Sequence, residues 1–190
     1  MSRDLMRSDE IKAFVREAYR AVNGSTTRVA ERLYNADELA LLPQSARSGA
    51  LGLANHLRYA RIEPGATVLD LGCGSGIDTI LAAQRAGPTG RVIALDFLPE
   101  MLERTEQAAH EAGLENVETL EAEMEEIPLP DASVDVVISN GVINLSPRKA
   151  RALAECARVL RPGGELCVSD LTVEDELPPE ILTHPAAWAG

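Results

Sequence analysis

VLDLGCGSGID, Val68 to Asp78, is an apolar run that ends in three glycines separated by single residues and passes straight into a helical pattern. A strand that ends this way presents backbone N–H groups and the positive end of a helix dipole at the carboxyl edge of a sheet. Without Cβ atoms, Gly72, Gly74 and Gly76 let a ligand lie against the chain. The same turn also serves close strand-to-helix packing with no ligand at all. A second feature favours the ligand. Asp96 ends the next apolar run, RVIALD, about 20 residues on, where a carboxylate can accept both hydrogens of a ribose diol. The FLPEML that follows keeps a helix-capping role open for it. Together the two features indicate an adenosine-type ligand.

Working outward, the chain after Glu63–Gly65 alternates strand and helix: TVLDL, IDTILAAQRAG, RVIALD, PEMLERTEQAAHEAG, NVETLEA, SVDVVISN, SPRKARALAECARVL and GELCVSDL. Runs such as VDVVIS are apolar nearly throughout, as expected when both faces are covered, so the pattern predicts a parallel sheet flanked by helices. Ser146 before Pro147 reads as an N-cap with proline at the first helical position, and Leu153, Cys156, Ala157 and Leu160 as the apolar stripe that follows. Gly87 and Gly113 suit helix C-termini. Upstream, Ile11, Phe14, Val15, Ala18 and Val22 predict a helix from Ser8 that Asn23 and Gly24 end. A short helix over Thr27 to Leu33, a loop through NADELALLPQSARSG and a helix over Leu51 to Ala60 complete residues 1–62, a helical lid or extension on a core of residues 63–190.

Composition narrows the partners. Of 190 residues, 45% are hydrophobic and 25% charged, the ordinary globular range. The net charge of -12, without a Lys/Arg block, argues against nucleic acid. No stretch has the roughly 18–20 apolar residues of a membrane span, and MSRDLMRSDE lacks the apolar core of a signal peptide. A soluble cytoplasmic protein is the expectation. Cys73, Cys156 and Cys167 have neither CxxC spacing nor a nearby His, which fits free thiols and no metal site.

Dinucleotide enzymes carry GxGxxG, whereas this loop reads GCGSG. Taken in order, VLDLGCGSG, LDFLPEML, SVDVVISN and RVLRPGGEL resemble class I S-adenosylmethionine-dependent methyltransferases. The resemblance implies a Rossmann-like α/β three-layer sandwich with strand order 3-2-1-4-5 and S-adenosylmethionine as cofactor. It places Asp70 and the Gly72–Cys73–Gly74 backbone around the methionine part, Asp96 on the ribose hydroxyls and Phe97 beside the adenine. Glu123 and Met124, in EAEMEEIP, match positions that reach the adenine edge through a carboxylate and a main-chain N–H; Asn140 would face the reacting sulfonium. Plainer roles stay open: Glu123 solvated in an acidic loop, Met124 in the core, Asn140 bonded to local backbone. The reaction implied is direct in-line methyl transfer to a small-molecule acceptor, with no covalent nucleophile and no catalytic side chain assigned. Tyr19, Tyr34, Asn144 and Asp170 are candidates for an acceptor pocket under the lid.

Within that class the segments from Asp37 onward are most similar to arsenite methyltransferases, which hold trivalent arsenic through cysteine thiolates. At the matching positions this chain has Leu53, Gly141 and Trp188. The family sheet has seven strands, and nothing after GELCVSDL offers a sixth or a seventh. The fifth strand is then expected to be an apolar edge, covered by a second copy or by another subunit, unless the chain is a piece of a longer protein. The alternative to an enzyme is a methyltransferase-like subunit that binds the cofactor, or only scaffolds a complex.

Overall fold

A computed structural model of the chain describes residues 7–20, 27–174, 178–182 and 184. The elements run α1 (Ser8–Arg20), α2 (Thr27–Leu33), α3 (Ala36–Ala40), α4 (Gln44–Ser48), β1 (Thr67–Leu71), α5 (Ile77–Ala86), β2 (Arg91–Asp96) and α6 (Pro99–Glu111). They continue with β3 (Val117–Glu121), β4 (Val134–Asn140), α7 (Lys149–Val159), β5 (Leu160–Ser169) and α8 (Pro179–Leu182). The five strands form one parallel sheet in the order β3-β2-β1-β4-β5, as expected from the sequence. No helix among the described residues is long and apolar enough to cross a membrane.

Because side chains alternate across a strand, the continuously apolar runs supply both faces of the sheet. Val68, Val92, Val136 and Ile138 pack with Ile80, Leu81 and Ala108 of α5 and α6 on one face. Leu69, Leu71, Ile93, Leu95 and Val137 pack with Cys156 and Val159 of α7 on the other. Each fully buried Val, Leu or Ile among them contributes about 1.5–3 kcal/mol relative to exposure. Ala30, Tyr34, Leu42, Ala46 and Leu57, all upstream of β1, belong to the same core as Val68 and Ile80. At the β5 edge, RPGG forms an irregularity: the register jumps from Val134↔Leu160 to Val136↔Glu165. Gly87 and Gly113 follow α5 and α6 with positive φ, as their positions in the sequence suggested.

Four local expectations change. The loop expected through NADELALLPQSARSG contains α3 and α4; α3 is nucleated by a capping box in which Asn35 Oδ1 accepts the Glu38 N–H and Glu38 Oε2 accepts the Asn35 N–H. The helix expected over 51–60 is one 3₁₀ turn, His56–Arg58, because Asn140 takes the backbone N–H of Leu53. Ser146 does not cap α7. Its hydroxyl is drawn to the buried Glu125 (2.5 Å) while accepting the Arg148 N–H (3.0 Å), and the helix starts at Lys149. The inward stripe of α7 is Ala152, Glu155, Cys156 and Val159. Glu155 is held inside by the Ile127 N–H and by Arg158, which leaves Leu153 43% exposed and Ala157 outside. The expected end of α1 at Val22, Asn23 and Gly24 lies outside the described residues.

Candidate functional site

The carboxyl ends of β1, β2 and β4 open into one cleft, at the crevice where a doubly wound sheet binds ligands. Asp70, Gly72, Cys73, Gly74, Asp96, Phe97, Glu123, Met124 and Asn140 all line it, brought together from four separate stretches of chain. Of the acceptor-pocket candidates, Tyr19 and Tyr34 line it too. Asn144 and Asp170 do not: the Asn144 N–H donates to Asp170 Oδ2 at 2.8 Å.

Two glycines of the loop act for different reasons. At Gly72 (φ +79°) a Cβ would lie 2.6 Å from Val142 Cγ2, so this glycine admits the packing of Val142. At Gly74 (φ +55°) a Cβ would meet nothing within 4 Å. The Gly74 N–H donates to Asp96 Oδ2 (3.2 Å) and the Leu98 N–H to Asp96 Oδ1 (3.0 Å), which fixes the Asp96 carboxylate beside the loop. With the Phe97 N–H as a third backbone partner, the carboxylate keeps acceptor capacity for a further donor. Burial raises the Asp96 pKa against the pull of these backbone hydrogen bonds.

Asp70, fully buried at the end of β1, accepts the Thr79 hydroxyl at 2.5 Å. Burial first, and the nearby Asp78 second, push its carboxyl up to about 8. Burial beside Asp96 and Asp70 pushes the Cys73 thiol well above the ordinary range, and Thr105 Oγ1 donates to its sulfur at 3.4 Å. Cys73 is therefore a neutral thiol. Lys12 is the one basic side chain lining the cleft among the described residues, and it is engaged by Glu123 (2.5 Å) and Glu125 (3.8 Å). Of the remaining acidic side chains Asp70 keeps its proton, and Asp78 and Asp96 make the interior of the cleft a place for a cation. Phe97 lies at the rim with the Arg16 guanidinium 5.7 Å from its ring centroid, and Met124 packs against the core of the sheet.

Sequence reasoning missed the group that closes the far wall. Asp78, in the first turn of α5, accepts the Tyr34 hydroxyl (2.7 Å) and the Asn140 amide (2.9 Å). His56 is buried with Nδ1 3.9 Å from Asp78 Oδ2, and neither ring nitrogen has a hydrogen-bond partner among the described residues. An acidic residue two positions after the last glycine of the loop was the available signal for Asp78; for Lys12, Glu125 and His56 there was none.

Residues 62–189 match the family described as a methyltransferase domain. The chain is 43% identical over 161 residues to an arsenite methyltransferase of Halobacterium salinarum, covering 84% of this chain and 41% of that protein. It is 39% identical over 115 residues to a demethylmenaquinone methyltransferase of Listeria welshimeri, covering 60% and 48%. A solved structure of an arsenic(III) S-adenosylmethionine methyltransferase from Chlamydomonas reinhardtii superposes with a TM-score of 0.71 at 37% identity, over 85% of this chain and 54% of that one. The chain thus spans about half the length of the relatives it matches. It belongs to the methyltransferase domain family, among the class I S-adenosylmethionine-dependent enzymes and near their arsenite methyltransferase group.

Proposed function

We propose that this chain holds S-adenosylmethionine in the cleft and directs its methyl group to a small-molecule acceptor by in-line displacement. The observation that carries the reading is the acidity of the cleft: the buried Asp78 and Asp96 face it beside the proton-retaining Asp70, and the one basic side chain that lines it among the described residues is already paired. A sulfonium and an ammonium group complement such a wall. Asp96 accepts from the ribose diol, and the Gly72–Cys73–Gly74 backbone with Asp70 holds the methionine part. Phe97 flanks the adenine, Glu123 and the Met124 N–H meet its polar edge, and Asn140 stands at the methionine end. When bound, the sulfonium supplies an activated methyl with a neutral thioether as leaving group. The protein's share is orientation and exclusion of water, a source of about 7–11 kcal/mol for well-aligned reactants. The helix α1 serves as the cover, with Val15 and Tyr19 lining the cleft.

The acceptor in this reading is not arsenite. Leu53 and Gly141 stand where the resemblant enzymes have thiolates, and a Cβ on Gly141 would lie 3.1 Å from Leu53 Cγ. Burial keeps Cys73 protonated and pushes Cys156 up to about 11. The wall on that side is apolar, built from Leu33, Leu51 and Val142, and suits an uncharged acceptor. Isothermal titration with S-adenosylmethionine and S-adenosylhomocysteine tests the reading, and no heat with either removes it. Adding arsenite should leave the thermal midpoint unchanged; a saturable shift would restore arsenic as acceptor.

One observation favours a second reading, a subunit that works only in a complex. Among the described residues β5 pairs with β4 alone, and Leu166 and Val168 are exposed. A second copy, another subunit or, if the chain is a piece of a longer protein, a further part of that protein covers this edge in either reading.

A further inference from the structure

Lys12 reaches from α1 across the end of the cleft that the proposed function gives to adenine. Its Nζ lies 2.5 Å from Glu123 Oε2 and 3.8 Å from Glu125 Oε2, with the lysine side chain 17% exposed. Glu125 is itself anchored: it is buried, and its Oε1 accepts the Ser146 hydroxyl at 2.5 Å. One turn along α1, Arg16 lies over the Phe97 ring, and Ile11 and Val15 pack with Leu145, Tyr19 and Phe97. The helix therefore grips Phe97 and Glu123, the two side chains assigned to the adenine. An isolated exposed ion pair would hold Glu123 only weakly. This pair is built differently, because the ammonium is shielded and a second, immovable carboxylate fixes where it sits.

We propose that Lys12 is a specificity-determining residue, which pins the Glu123 carboxylate in place at the cleft rim so that the site takes a 6-aminopurine nucleoside and rejects its 6-oxo counterpart. An ionised carboxylate only accepts hydrogen bonds. The exocyclic amine donates to it, while the adenine ring nitrogen accepts from the Met124 N–H. A 6-oxopurine inverts both contacts, setting an oxygen against Glu123 and an N–H against the Met124 N–H. Sites whose polar groups are left unpaired by the wrong ligand discriminate strongly. Without Lys12, Glu123, whose side chain is 51% exposed, turns to water and the selection is lost.

The inference rests on the proposed function, and the test separates the two. Affinities for S-adenosylhomocysteine and S-inosylhomocysteine are measured by titration calorimetry on the parent, Lys12→Met, Lys12→Arg, Glu123→Gln and the Lys12→Met/Glu123→Gln pair. The parent should prefer the adenosyl ligand by about tenfold or more. Lys12→Met should bring the ratio to about threefold or less, Lys12→Arg should restore it, and the double variant should lose no more than either single change. A Lys12→Met protein that keeps the parental ratio overturns the proposal even if both affinities fall, since α1 would then act only as cover. A parent that binds both ligands equally also overturns it. A parent that binds neither removes the cofactor reading itself.

Discussion

Asn140, the last residue of β4, donates through Nδ2 to Asp78 Oδ2 at 2.9 Å, and its Oδ1 accepts the Leu53 N–H at the same distance. Nδ2 also donates to the Ala54 carbonyl (2.8 Å), and Asp78 receives the Tyr34 hydroxyl (2.7 Å). One side chain thus ties the segment before β1 to the sheet and to the first turn of α5. The plainer role open to Asn140, bonding to backbone, is present together with its place at the cleft.

Asn140→Ala should destabilise the fold by about 1–3 kcal/mol, because it removes a donor from a buried carboxylate and an acceptor from a backbone N–H. Urea unfolding measures this. A midpoint equal to the parent's would show that the group does not act as a tie.

Gly74→Ala should leave the protein folded while weakening S-adenosylhomocysteine binding more than tenfold, since the added methyl stands in open space on the loop. The left-handed φ costs about 1–2 kcal/mol for a non-glycine residue. Gly72→Ala should instead lower the melting temperature further, because its Cβ meets Val142 at 2.6 Å. Unimpaired binding by folded Gly74→Ala would mean that no ligand lies against the loop.

The raised Asp70 pKa makes stability depend on pH. An unfolded aspartate titrates near about 3.9, and in the fold this one is pushed up to about 8. Between those values the native state keeps a proton that the unfolded chain has lost. The contribution is therefore full below about pH 4 and disappears as pH rises through 8. Unfolding series from pH 5 to 8 should show stability falling with pH in the parent, and a shallower slope in Asp70→Asn. Parallel slopes would take Asp70 out of the account.

The β5 edge should associate. Sedimentation velocity on the purified chain is expected to show a species larger than the monomer, and Leu166→Lys with Val168→Lys should reduce it, since both side chains are exposed on that strand. A monodisperse parent monomer counts against a second copy as cover.

Much of the fold was legible because its signals are local. VDVVIS had to be covered on both faces, GCGSG had to turn, and Gly87 and Gly113 had to follow helices. The short elements were less legible. Asn35 and Glu38 form a capping box inside what read as a loop, and Ser146 left its capping position because a buried carboxylate 21 residues earlier took its hydroxyl. That competition is tertiary, and no window of sequence contains it.

The sequence by itself determined the sheet, its crossovers and the stretches that meet at its carboxyl edge, since hydrophobic periodicity and glycine placement act over a few residues. Only the tertiary structure decided which side chains pair across the cleft: Lys12 with Glu123, Tyr34 and Asn140 with Asp78, His56 buried beside them. Such pairs join residues far apart in the chain, and their geometry depends on how the helices before β1 lie on the finished sheet.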